Sequence, residues 1–383
     1  MHLKKDKFYE ERLYMKKIYL IYYNFLNEDR KTVSIGGIQT YLQNLCQIIF
    51  SIGYEPVVIQ LAKENFEIEY CGHSVIGICT PREKFPYEAI ARVPKESVVI
   101  FGTHELIVPF EGPTIGIQHG ITWDTPIHRE LSKTLNKLYI FQRARMGYRL
   151  LRQLRHVDTL VCVDSNFINW YRTQVAYPEV SMVSIPNFSE IASLTEKPKD
   201  RVNIMFARRL FWYRGTRIFT EVSKKLLCEY GEKVHITIAG SGDDEEYMRE
   251  QLGVYSNVSF IKYSANESLQ IHGDKHIAVV PTIGSEGTSL SLLEAMSAGC
   301  AVVCSDVGGM TNIVLDGYNG LMVSAGDVDE LYRAIMKLID DPNMRESIAS
   351  HGYDTVKNAF SLAKWQERWR EVLKKVLYQG KRK

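Results

Sequence analysis

The chain has 383 residues, 45% of them hydrophobic and 24% charged. That is enough to bury about three-quarters of the surface the unfolded form exposes, with no need for a disulfide or metal staple, and two domains are expected. A formal net charge of +2 excludes the strongly basic field of a nucleic-acid binder, but the charge is unevenly placed: residues 129–156 carry eight Lys/Arg against one acidic residue, and residues 361–383 eight against two.

In chain order, segment 1–17 is polar and lacks the apolar centre of a signal peptide. Apolar runs at 18–23, 56–61, 97–101, 114–118, 159–163 and 181–185 predict buried strands, and patterned stretches at 38–51 and 133–155 predict helices between them. This alternation predicts a parallel sheet covered on both faces. Pro186-Asn187 and the polar stretch 189–201 predict an interdomain linker. The rhythm then restarts, with strands at 202–206, 234–239, 258–261, 277–280, 301–304 and 321–323. Helices are expected from about 217 and 243, and over 289–297, 328–339 and 363–377. The predicted domains are 1–188 and 189–360, both Rossmann-like and doubly wound, with segment 361–383 as a closing helix. Ligands of such folds lie in the crevice at the carboxyl ends of the strands. No stretch approaches the ~20 apolar residues of a membrane-spanning helix. Seven cysteines with no CxxC pair point to a reducing compartment, hence a cytoplasmic location.

Four motifs carry chemistry. The stretch from Pro281 to Gly299 follows a predicted strand and opens a helix, so its amides and the helix dipole suit a phosphate. It holds Glu286 and, eight positions later, Glu294. Ser291-x-x-Glu294 has the spacing of a capping box, which is the structural alternative for that second carboxylate. Arg208-Arg209-Leu210-x-x-x-Arg214-Gly215 supplies cations after another strand, either for a diphosphate or as a solvated surface clamp. Gly36-Gly37 precedes the first predicted helix, where glycines let backbone approach a ligand closely or simply make a turn. His119-Gly120 ends a predicted strand at the cleft edge, with His104 a weaker rival. Ala239-Gly-Ser-Gly242 starts like a dinucleotide fingerprint, but Glu245 stands where the third glycine belongs, so NAD is rejected. Asp327-Val-Asp329 is read as a helix start and not as a metal motif.

Together these segments resemble glycosyltransferase family 4, the retaining nucleotide-sugar transferases of GT-B fold. The signature E-G-x-x-x-x-x-x-E-A-x-x-x-G is met from Glu286 to Gly299, followed by Gly308-Gly309 and by Asp316-Gly-Tyr-Asn-Gly320. Arg208–Gly215 is similar to the family's G-R-L-x-x-x-K-G, with Arg214 in place of the Lys, and Ile185-Pro186-Asn187 to its I-P-N element. Thr311-Asn312 stands where members often carry an acidic residue. The resemblance implies that Arg209 and Arg214 clamp the donor diphosphate. Gly36, Gly37, Gly287, Thr288, Ser289 and Leu290 would line the donor site, Glu294 would hold the ribose, and Glu286 and His119 would orient the sugar. It further implies transfer from a UDP- or GDP-sugar, independent of metal and of any other cofactor, to a saccharide or lipid-linked acceptor in cell-surface polysaccharide or glycoconjugate synthesis. The acceptor would be chosen by first-domain loops at 24–34 and 122–128, and the last helix would cross back onto the first domain. The rival readings are an inactive GT-B scaffold or binding subunit and a GT-B nucleotide-sugar epimerase. In the basic stretch 138–156, Arg145, Arg149 and Arg152 share one helical face and Ile140, Ala144, Leu151 and Leu154 the other. This suits either a packed helix with a solvated face or peripheral contact with an anionic membrane at its cytoplasmic face.

Overall fold

The apolar runs pair with one another into two separate sheets. The computed structural model describes residues 15–34, 36–120, 133–175, 180–284 and 286–379. In the first sheet, β1 (Lys17–Tyr22) lies between β2 (Glu55–Leu61) and β5 (Val98–Phe101) in parallel register, with Leu20 opposite Val58 and Ile100. β6 (Thr114–Gln118), β7 (Thr159–Cys162) and β8 (Ser181–Ser184) continue it on one side. On the other side lie β4 (His73–Ile78) and β3 (Phe66–Tyr70), giving the order β3-β4-β2-β1-β5-β6-β7-β8. Only β3 runs antiparallel, joined to β4 by Cys71-Gly72, both at positive φ (46° and 83°). That is the backbone a tight two-residue hairpin demands. The hairpin was not foreseen, although the alternation in Phe66-Glu-Ile-Glu-Tyr70 shows it.

The second sheet is entirely parallel. Its strands are β9 (Val202–Ala207), β10 (Val234–Ala239), β11 (Val258–Ile261), β12 (Ile277–Val280), β13 (Ala301–Ser305) and β14 (Leu321–Val323), ordered β11-β10-β9-β12-β13-β14. Apolar clusters cover both its faces, one under Phe219, Leu226, Leu331 and Ile335, the other under Leu292, Met296 and Met310. The sheets and their helices make a GT-B architecture.

Helices α1 (Gly37–Ser51), α2 (Phe85–Ile90), α3 (Lys133–Leu154) and α4 (Ser165–Gln174) belong to the first domain. The second has α5 (Thr216–Tyr230), α6 (Glu245–Leu252), α7 (Ser268–His272), α8 (Leu290–Ser297), α9 (Val328–Asp340) and α10 (Pro342–Thr355). The closing helix α11 (Leu362–Gln379) returns to the first domain, where Trp365, Trp369, Leu373 and Val376 join the core. It starts beside the outgoing crossover: Ser189 N donates to the Phe360 carbonyl at 3.0 Å and Leu362 N to the Ser189 carbonyl at 3.0 Å.

In α3 the arginine face is solvated as expected, but Ile140 is not on the packed side; it is 64% exposed, beside Phe141 at 76%. Among the described side chains of α3, Leu150 and Leu154 in its last turns are buried in the core. No helix among the described residues is long and apolar enough to cross a membrane. The acceptor-loop segment 122–128 lies outside the described residues.

Candidate active site

The carboxyl ends of β9 and β12 place the arginine segment against the loop that carries Glu286. Arg208 ends up inside: its Nη2 donates to Glu286 Oε2 at 2.8 Å and its Nη1 to Thr282 Oγ1 at 2.6 Å. Arg214, in the short turn Trp212–Arg214, donates to the same Oε2, and Thr282 Oγ1 donates to it at 3.1 Å. Burial raises the Glu286 pKa, but Arg214 and Arg208 outweigh it and hold the carboxylate below its ordinary value. Burial in turn lowers the Arg208 guanidinium to about 10, with Glu286 opposing the shift. Arg209 is not part of this cluster; it is exposed, 5.7 Å from the Phe211 ring.

Two glycines make these close approaches possible. Gly215, at φ 84°, packs so tightly on the chain end of β12 that a Cβ would sit 1.9 Å from the Pro281 carbonyl oxygen. Gly308, at φ 52°, is likewise pressed onto the Glu286 backbone, and Gly309 N donates to the Glu286 carbonyl at 3.0 Å.

Glu294 sits on α8 and accepts from Ser268 Oγ at 2.6 Å; burial pushes its pKa up to about 7, against the pull of that hydrogen bond. The cap of α8 is Ser289, and its hydroxyl meets Ser291 Oγ at 3.1 Å, so Glu294 is not part of a capping box. Asp327, in contrast, does cap α9, accepting from Asp329 N and Glu330 N.

The first domain closes over this loop. A Cβ on Gly287 would lie 2.8 Å from the His119 carbonyl, and one on Gly37 would lie 2.8 Å from Leu290 Cδ1. His119-Gly120, Gly36-Gly37, Gly287 and Leu290 are thereby gathered at one place, under the amino end of α1. The His119 ring donates from Nε2 to the Gly102 carbonyl at 3.1 Å and meets Tyr41 edge-on at 5.1 Å. Burial drops its pKa to about 3, so the ring is neutral, with Nδ1 as the acceptor nitrogen. Thr288 serves the joint between domains: its hydroxyl donates to the Val163 carbonyl at 3.0 Å and accepts from Asn187 N at 2.7 Å, while Asn187 Nδ2 donates to its carbonyl at 2.6 Å. A second joint runs from Ser165 N to Asn312 Oδ1 at 2.8 Å and from Asn166 Nδ2 to the Gly308 carbonyl at 2.6 Å.

Sequence reasoning missed Arg208 as the partner of Glu286, Ser268 as the partner of Glu294, and these asparagine joints. An Arg where the resembled motif has Gly was the one available signal. It also passed over Asn312, whose side chain spans the domains.

Two facing Rossmann-like domains, with a carboxylate–arginine loop at their junction, make the GT-B fold. Residues 187–355, most of the second domain, match the family Glycosyl transferases group 1. An uncharacterized glycosyltransferase of Methanocaldococcus jannaschii is 24% identical over 273 residues, 69% of this chain and 68% of that protein. In fold, the chain is similar to sucrose-phosphate synthase from Thermosynechococcus elongatus, with a TM-score of 0.73 and 16% identity over 95% of this chain and 100% of that one. It is similar also to Anabaena HepE in complex with UDP and glucose, with a TM-score of 0.68 and 16% identity over 94% and 100%.

Proposed function

We propose that this protein transfers a sugar, with retention, from a nucleoside-diphosphate sugar to a hydroxyl of a saccharide or lipid-linked acceptor in cell-surface polysaccharide or glycoconjugate synthesis. The observation that carries the reading is the Arg208–Glu286–Arg214 cluster in the loop that leads into α8, with the exposed Arg209 next in the chain to Arg208. In this site Arg209 and Arg214, with the amides of Gly287, Ser289 and Leu290, stabilise the diphosphate as negative charge builds on it in the transition state. Glu294 holds the ribose. The likeness to a fold seen with UDP and glucose favours a UDP-sugar, with a GDP-sugar as the other candidate.

A carboxylate bound by two guanidiniums is a poor nucleophile, and the neutral His119 ring is tied to a carbonyl, so neither suits a covalent intermediate. The acceptor hydroxyl therefore attacks the anomeric carbon from the side the leaving group departs. The bond to the diphosphate breaks as the new glycosidic bond forms, and the hydroxyl proton passes to the departing phosphate oxygen. Glu286 and His119 orient the sugar during this step. Fixed arginines and amides supply the positive charge, so turnover in EDTA should match that in its absence. The exposed Ile140, Phe141 and Tyr148 on α3, beside its arginines, support peripheral contact with an anionic membrane, tested by co-sedimentation with vesicles of varied lipid charge.

The experiment is turnover of UDP- and GDP-sugars, by transfer or slow hydrolysis. Arg209→Ala and Glu286→Ala should each lower it by about 10²–10³-fold. Undiminished turnover in both variants would remove the site assignment, and a folded wild type without turnover would favour the scaffold reading.

A further inference from the structure

The first domain has a cavity of its own, about 880 Å³, that the donor assignment leaves unused. It opens at the carboxyl ends of β1 and β2 and beside the turn after β4, between Tyr22-Tyr23, the 24–34 loop, Phe66 and Arg82. One wall is aromatic: the Tyr22 and Tyr23 rings are 6.3 Å apart and Phe85 backs Tyr23 at 5.8 Å. Guanidiniums cover the faces turned to the cavity, Arg82 over Tyr23 and Arg30 over Phe66 at 4.6 Å, and the neighbouring Asn24, Asn27 and Ser34 suit the hydroxyls of a sugar.

The charges in this cavity do not cancel. Lys63 is matched by Glu28 at 2.7 Å and Arg30 by Glu64. Arg82 forms no such ion pair among the described residues; its guanidinium lies 3.9 Å over the Tyr23 ring and is exposed to the cavity. Of the charged side chains that line the cavity, Arg82 is thus the one without a carboxylate partner among the described residues, and the surplus there is positive.

We infer that this cavity is the acceptor subsite and that it selects a saccharide carrying an anionic group, a phosphate or a carboxylate. The anion rests against Arg82, which is backed by Tyr23, and the sugar hydroxyls against Asn24, Asn27 and Ser34. An arginine laid flat on an aromatic ring keeps its donor edge free for such a group, and a charge-assisted hydrogen bond there discriminates strongly against a neutral analogue. The inference rests on the transferase reading only in naming the bound molecule an acceptor.

The test is titration of the full chain, with and without saturating UDP, by hexose 1-phosphates, hexuronates and neutral methyl glycosides of gluco, galacto and manno configuration. At least one anionic sugar is expected to bind tenfold or more tightly than its neutral counterpart. Whether the phosphate or the uronate series wins tells which anion the subsite takes. Arg82→Gln should abolish the preference and Arg82→Lys retain part of it, with the affinity for UDP unchanged in both. Equal binding of charged and neutral sugars, no binding by any of them, a preference that survives Arg82→Gln, or loss of UDP affinity in that variant would each overturn the assignment. If UDP fails to bind while the preference holds, the transferase reading falls and the anionic subsite stands.

Discussion

Glu286 and Glu294 lie on one loop-and-helix segment, yet their acidities move in opposite directions because their neighbours differ. Two arginines keep Glu286 ionised, whereas Glu294 has one serine hydroxyl and is otherwise surrounded by protein. The Glu294 pKa is raised from 4.5 to about 7, so its contribution to stability is fully present below 4.5 and is lost as pH rises through about 7. Ribose hydroxyls donating to this carboxylate favour the charged form. Donor affinity should accordingly rise as pH climbs through about 7 and then level off, with a proton released on binding. Calorimetry in buffers of different ionisation enthalpy measures this, and Glu294→Gln should make the affinity independent of pH in that range. At Arg208 the expectation concerns the fold. Replacing it with Leu leaves Glu286 buried with one guanidinium fewer, a change that typically costs about 3–5 kcal/mol when a buried pair is broken. Arg208→Leu should show this as a lower midpoint in urea, and a midpoint equal to wild type would mean that Arg214 alone satisfies Glu286.

Turns decide how the elements meet. The Trp212–Arg214 turn reaches Glu286 because Gly215 both takes a left-handed backbone and presents no Cβ to Pro281. Gly215→Ala should cost about 1–2 kcal/mol from the backbone alone, and the contact with the Pro281 carbonyl adds to it. Reduced thermal stability together with a raised KM for the donor is the expected result. Strands in the second half stand within a residue or two of their predicted ends, because each is a short apolar run bounded by polar residues. The β3–β4 hairpin and helices α2, α4 and α10 were harder to see. α10 presents only Ile348 and Gly352 as fully buried positions, too few to stamp a period on the sequence.

Across the whole molecule, the described contacts that hold the two domains include the paired crossovers at Ser189, the asparagine joints at Thr288 and Asn312, and the return of α11. Trp369 anchors that helix, fully buried, with Nε1 donating to Tyr41 Oη at 2.8 Å, and Tyr41 in turn backs His119. Trp369→Ala should lose about 3–5 kcal/mol, visible in thermal denaturation. Trp369→Phe, which keeps the ring but not the N–H, should lose less. Because Tyr41 touches His119, the alanine variant should also lower kcat, while a change in stability alone would show that the helix is a strap and nothing more.

By itself the amino-acid sequence determined the parallel α/β class, the two halves and the carboxylate–arginine motifs, since these are local patterns of apolar spacing, glycine and charge, while the return of α11 was implied by the family resemblance alone. It also resolved a net charge of +2 into basic segments on an otherwise acidic chain. Tertiary structure decided what local pattern cannot hold. It chose which of two adjacent arginines is buried on Glu286 and which is exposed. It gave Thr288 to the domain joint, and it left Ile140 and Phe141 exposed on a helix whose spacing had assigned Ile140 to a packed face. It also left Arg82 without a carboxylate partner among the described residues, in a cavity where its neighbours are paired. Each depends on partners 35 to more than 100 residues away in the chain, and burial and pairing are settled only when distant segments meet.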